Sequence, residues 1–97
     1  MQIRVQYFEL VRHHVDVPDE EVHLDGGATV RDLMAALTRR HGPGLGDSLI
    51  GPDGGPLPNA VILLDNGNIL HRQGMDTELP DGGLVRMMLM PPFIGGG

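Results

Sequence analysis

The residues in this chain best suited to chemistry are its last seven, Pro91-Pro92-Phe93-Ile94-Gly95-Gly96-Gly97. A chain that stops on glycine presents a backbone carboxylate with no Cβ beside it. Such an end can enter a tunnel too narrow for side chains and bring its carboxylate against a nucleotide phosphate. Proline fixes φ and cannot donate to a sheet ladder, so Pro91-Pro92 is expected to end the preceding strand and hold the tail away from the body. From Pro91 onward, an extended chain reaches roughly 20 Å at about 3.3 Å per residue. Most chain ends simply fray, but a frayed end is more usually charged and polar than this one.

The other chemistry-bearing residues form weaker patterns. There is no cysteine, which removes disulfides, thiol nucleophiles, persulfides and iron–sulfur ligand sets. If the chain handles sulfur, it must carry it on something other than a side-chain thiol. All seven basic residues are arginine, so the chain offers no lysine on which isopeptide-linked chains could grow. Arginine-favouring codon usage accounts for that at least as well as selection does. His13 and His14 are adjacent in a polar stretch, where neighbours in extended chain point apart, and His23, His41 and His71 are scattered. Solvated histidines are expected here in preference to a zinc site, and no metal is assigned. Gly42-Pro43-Gly44-Leu45-Gly46 lacks the Lys-Ser/Thr ending of a phosphate loop and follows a helical segment instead of preceding one.

Composition narrows the function classes. Ninety-seven residues suffice for one small core. A net charge of −6, with only Tyr7, Phe8 and Phe93 as aromatics, argues against nucleic acid and suits a basic partner surface. No apolar run approaches a membrane span, and Met1-Gln2-Ile3-Arg4-Val5 has strand patterning in place of a leader, so a cytoplasmic location is expected.

The elements that must position the tail follow from periodicity. Ile3, Val5 and Tyr7 alternate with polar residues, and Glu21-Val22-His23-Leu24 alternates again before Asp25-Gly26-Gly27, which predicts an N-terminal hairpin. Thr29 and Asp32 form an approximate capping box, and Val30, Leu33, Met34 and Leu37 recur at helical spacing. Arg39-Arg40-His41 suit the last turn, with Gly42 as the cap and Pro43 as a stop. Residues 42–58 are expected to be a loop containing at most one helical turn. Ala60 to Leu64 is a strand candidate, Asn66-Gly67 a tight turn, and Ile69-Leu70 the start of a short return strand. After a turn at Leu79-Pro80-Asp81-Gly82-Gly83, Leu84 to Met90 is apolar on both faces apart from Arg86, as suits a central strand. Asp-Gly-Gly recurs at Asp25, Asp53 and Asp81 without matching flanks and marks turns, not a repeat. Alternate residues of the last strand must pack on the helix; the strand's own residues leave open which set does so, and Met88 and Met90, with Phe93, are taken as the outward docking patch.

An N-terminal hairpin, a crossing helix and a final central strand parallel to the first describe an α+β fold, the β-grasp of ubiquitin-like proteins. Asn66-Gly67, Leu79-Pro80-Asp81-Gly82, Val85, Pro91-Pro92 and the terminal glycines resemble the MoaD/ThiS sulfur-carrier family. The closest likeness is to the small subunit of molybdopterin synthase. Ile3-Arg4-Val5-Gln6-Tyr7-Phe8 and Thr29-Val30-Arg31-Asp32-Leu33 are similar too.

The resemblance implies a β-grasp domain over residues 1–92, with four to five mixed strands on one main helix, and a flexible diglycine-type tail over 93–97. It implies that a separate ATP-dependent activating enzyme adenylates the Gly97 carboxylate, and that sulfide equivalents displace AMP to leave a thiocarboxylate. Gly95 and Gly96 would thread the tail into that enzyme and into the large subunit of molybdopterin synthase. The chain would bind no cofactor itself and would act as a co-substrate or non-catalytic subunit. Two departures stand out. The family typically ends in two glycines where this chain has three, which leaves open whether Gly97 is the working terminus or is trimmed. Gly83-Leu84 stands where many members carry acidic residues. A carrier for thiamine, cysteine or a secondary metabolite, a ubiquitin-like modifier joined to target lysines, and a plain binding module are the alternatives.

Overall fold

The computed structural model of the protein describes residues 1–91. The expectations placed on Phe93, Gly95, Gly96 and Gly97 therefore lie outside the described residues. Among those described, strands β1 (Gln2–Glu9), β2 (Asp19–His23), β3 (Ala60–Leu64), β4 (Gly67–Asn68) and β5 (Leu84–Leu89) form one mixed sheet in the order β2-β1-β5-β3-β4. Helices α1 (Val30–His41) and α2 (Pro43–Leu49) are the two α-helices of this region. This is the ubiquitin-like β-grasp. No helix among the described residues is long and apolar enough to cross a membrane.

The hairpin of β1 and β2 pairs Ile3 with Val22 and Val5 with Glu20. The last strand lies parallel to the first, Val5 opposite Val85 and Tyr7 opposite Met87, and antiparallel to β3 on its other side. Parallel neighbours need a long crossover, and α1 supplies its regular part. The helix starts at a complete capping box: Thr29 accepts from the Asp32 amide, and the Asp32 carboxylate accepts from the Thr29 amide. Val30, Leu33, Met34 and Leu37 are all buried against the sheet side residues Ile3, Val5, Ile62, Leu64, Val85 and Met87.

Three local expectations need correction. Pro43 does not stop helical structure; it occupies the first turn of α2, where its missing N–H costs nothing. Gly42, at φ 103°, turns the chain between the two helices. Leu45 and Leu49, one turn apart, are both fully buried, and this packing outweighs the poor helix propensity of Gly44 and Gly46. A Cβ on Gly46 would come within 3.0 Å of Thr38 Oγ1, so its glycine lets α2 approach α1 closely. Second, the tight turn is Asp65-Asn66, both at positive φ, and Gly67 already pairs with Leu64. That is the two-residue hairpin of mirror-image type that matches strand twist. Third, Ile69-Leu70 begins a 3-10 turn, not a strand, with buried Ile69 plugging the core and Asn68 capping the Leu70 amide. Gly83, one of the departures, is buried in its turn, where a Cβ would meet the Pro80 carbonyl at 3.0 Å.

Leu37 is fully buried at the centre of this interface. Leu37→Ala should cost about 2–5 kcal/mol through the cavity it leaves. Denaturant melts measure this, and a midpoint equal to wild type would contradict the packing.

Candidate functional site

The strand that precedes the tail in sequence, β5, lies in the middle of the sheet. Leu89 ends β5, and the next residue is held at both backbone groups by Asn59: the Met90 amide donates to the Asn59 carbonyl at 2.8 Å, and Asn59 Nδ2 donates to the Met90 carbonyl at 2.9 Å. Asn59 was not foreseen as part of the site. Its amide and carbonyl hold Met90, the residue before Pro91, in place.

The two faces of β5 differ completely. Val85 and Met87 point into the core and are fully buried, with Leu89 packed beside them. Leu84, Arg86, Met88 and Met90 point to the opposite face, where no helix lies; Met90 is 50% exposed. Register places Phe8 on β1 and Val61 on β3 directly either side of Met88. Leu63 lies beside Arg86, whose guanidinium donates to Gln6 Oε1 at 3.2 Å and to Asn66 Oδ1. Phe8, Val61, Leu63, Leu84 and Met88 therefore make a partly exposed apolar patch that runs into Met90 and the tail base. Met88 and Met90 thus share one face, while Phe93 is outside the described residues. Phe8, Val61 and Leu63 were not foreseen. The available signal was Ala60-Val61-Ile62-Leu63-Leu64, a strand apolar on both faces in a chain with helices enough to cover only one.

A second cluster lies on the helix side. Tyr7 Oη donates to Glu20 Oε2 at 2.5 Å, His41 Nε2 lies 2.5 Å from the same oxygen, and Arg40 donates to Oε1. The edge of the His41 ring meets Tyr7 with centroids 5.9 Å apart. The His41 side chain is only 7% exposed, so it is not the solvated residue expected; its place in the last turn of α1 swings it onto β1 and β2. Burial pushes the Tyr7 phenol well above its usual range, and the hydrogen bond and charge of Glu20 push it further. Burial alone would raise the Glu20 carboxyl, but the hydrogen bonds from Tyr7, Arg40 and His41 outweigh it and hold that carboxyl below the ordinary value. Three donors converge on the one carboxylate, so this cluster clamps β2 and β1 to α1. Among the described residues, no three His, Asp or Glu side chains converge as metal ligands would.

The fold and this face define a class: a small β-grasp body with an apolar sheet surface, whose sequence ends in glycines. Comparison with known proteins makes it specific. The sequence profile of the ThiS family matches residues 5–97. Small archaeal modifier protein 3 of Haloferax volcanii is 31% identical over 96 residues, covering 99% of this chain and all of that protein. The solution structure of the Haloferax volcanii HVO 2177 protein superposes with a TM-score of 0.80 at 31% identity, covering 99% of this chain and 87% of the other. A putative molybdopterin converting factor subunit 1 from Pyrococcus furiosus gives 0.73 at 26% identity, covering 93% and 98%. The chain belongs to the ThiS family and has the ubiquitin-like β-grasp fold.

The depressed Glu20 carboxyl has a consequence for acid stability. The folded state keeps this proton off at pH values where the unfolded chain takes it up, so the stabilisation is complete above the ordinary carboxylate value. It declines as pH falls and is gone once pH passes below the folded value. Glu20→Gln should flatten that acid limb and cost about 1–3 kcal/mol at neutral pH, because three donors lose their carboxylate. Chemical melts at a series of pH values measure both, and an unchanged acid limb would contradict the clamp.

Proposed function

We propose that this chain is a sulfur carrier whose C-terminal Gly97 is converted to a thiocarboxylate and whose sulfur goes to molybdopterin formation. A carboxylate is a poor acyl donor until it has a leaving group. Attack of the Gly97 carboxylate on the α-phosphate of ATP, held by a separate activating enzyme, releases pyrophosphate and leaves an acyl adenylate. A sulfide equivalent then adds to the acyl carbon, AMP departs, and –COSH remains. Gly95 and Gly96 pass through the channel because they carry no side chains, and Gly97 brings the reacting carbon to the nucleotide. The patch of Met88 and Met90, with Phe93 following, docks on the activating enzyme and afterwards on the larger subunit that holds the pterin precursor. ATP is bound by the activating enzyme, and this chain serves as a co-substrate in the cytoplasm.

The observation that carries this reading is a sequence ending in Pro-Pro-Phe-Ile-Gly-Gly-Gly directly after a central strand whose outer face, among the described residues, is a partly exposed apolar patch. The likeness to the molybdopterin converting factor subunit supports the acceptor. The likeness to a small archaeal modifier supports a second reading, in which a target lysine amine displaces AMP and forms an amide with Gly97.

Incubation of the intact chain with its activating enzyme, ATP and a sulfur donor should add the mass difference of one oxygen exchanged for sulfur, located in the C-terminal peptide. Deleting Gly96 and Gly97 should abolish the product. Lysine conjugates without any thiocarboxylate would favour the modifier. Formation of neither species would overturn both readings.

A further inference from the structure

The apolar patch is centred on β5, on one side of β1; the sheet ends on the other side at β2, and that edge has its own character. Among the described residues nothing pairs with the outer edge of β2. Antiparallel hydrogen bonding fixes which backbone groups it presents. Met1 and Leu24 exchange both of their bonds, at 2.8 and 3.0 Å, and the Tyr7 amide donates to the Pro18 carbonyl at 2.9 Å. Every second residue between them, Glu20 and Val22, therefore faces β1, and the N–H and C=O groups of Asp19, Glu21 and His23 face outward.

Side chains alternate as well. Those of Asp19, Glu21 and His23 lie on the face away from the helices, and those of Val22 and Leu24 lie on the helix side. Beyond Leu24, two adjoining clefts of about 480 and 470 Å³ separate this edge from α1, sharing Leu24, Asp25 and Arg39 and floored by Ala35 and Ala36. Arg4 is the one guanidinium shared by the Asp19 and Glu21 carboxylates, at 2.6 and 3.5 Å, and both carboxylates remain about half exposed. One charge balances two, so this rim stays negative.

We infer that the β2 edge is a second docking surface, taking an extended basic peptide segment of a partner as a sixth strand. Its backbone pairs with Glu21 and His23. Its Lys or Arg side chains fall opposite Asp19 and Glu21, where opposite charges on paired strands attract. Its alternate, small or apolar side chains descend beside Leu24 into the clefts against Ala35 and Ala36. A second copy of this chain is a poor occupant. Antiparallel pairing about Glu21 would bring Asp19 and Glu21 of both copies onto one face, four carboxylates against two Arg4 guanidinium groups. Because β1 separates this edge from the Met88 patch, a peptide here leaves the patch and tail free, and two partners can be held at once.

The test uses the isotopically labelled full chain titrated with an acetylated, amidated heptapeptide of alternating Lys and Val. Shifts should concentrate at Asp19, Glu21, His23, Leu24 and Ala36, with slowed exchange of the Glu21 and His23 amides. The affinity should fall as salt is raised. The same peptide with Glu in place of Lys should not bind. Glu21→Pro removes an outward N–H and leaves the β1–β2 bonds intact, as proline on an edge strand can; it should weaken binding about tenfold with little change in the melt. If that variant fails to fold, Asp19→Asn with Glu21→Gln should weaken binding and reduce its salt dependence. Shifts at Val61 and Met88 in place of β2, equal binding of the Glu peptide, self-association through the edge, or no response at millimolar peptide would each overturn the proposal.

Discussion

The parallel pairing of β1 with β5 is the constraint on which the rest of the structure depends. It places the last strand in the centre of the sheet, between β1 and β3, so that strand is paired on both sides and does not end at a fraying edge. Parallel neighbours cannot be joined by a tight turn, and the long connection between them contains both helices. Those helices cover one face of the sheet. Strands β3 and β5 are nevertheless largely apolar on both faces, and among the described residues the side of β5 away from the helices becomes the surface formed by Phe8, Val61, Leu63 and Met88.

Function follows from that asymmetry. A buried residue such as Met87 holds β5 to the core, while its neighbour Met88 faces outward. The tail base is fastened to β3 through Asn59, so a partner that grips the outer face also fixes where the tail starts. The Glu20 clamp stiffens the opposite side of the molecule by tying β2, β1 and the end of α1 together.

Much of this was legible in the sequence where local signals agreed. The helix α1 had a capping box, an apolar face and a glycine–proline end, and each pointed to the same boundaries. The parity of β5 was not legible, because the strand is apolar on both faces; burial of Val85 and Met87 against the helix side settles it. What stayed hidden depends on partners distant in sequence. The pair Leu45 and Leu49 makes a helix only because the core is there to bury it, and glycines around them argued for a loop. His41 gave no sign of its buried contact with Glu20, 21 residues away. The patch around Met88 needed the register that brings Phe8 and Val61 beside it, which no run of residues in one strand reveals.

The chain carries its own reporters for the central claim, that the outer sheet face and the tail act together on one partner. Met34, Met75 and Met87 are buried on the helix side, and Met88 and Met90 are on the other. Methyl spectra of methionine-labelled protein, recorded as the activating enzyme is added, separate the two sides directly. The account predicts that Met88 and Met90 shift or broaden while Met34, Met75 and Met87 keep their positions. Perturbation of Met34 and Met75 with Met88 and Met90 unmoved would contradict it.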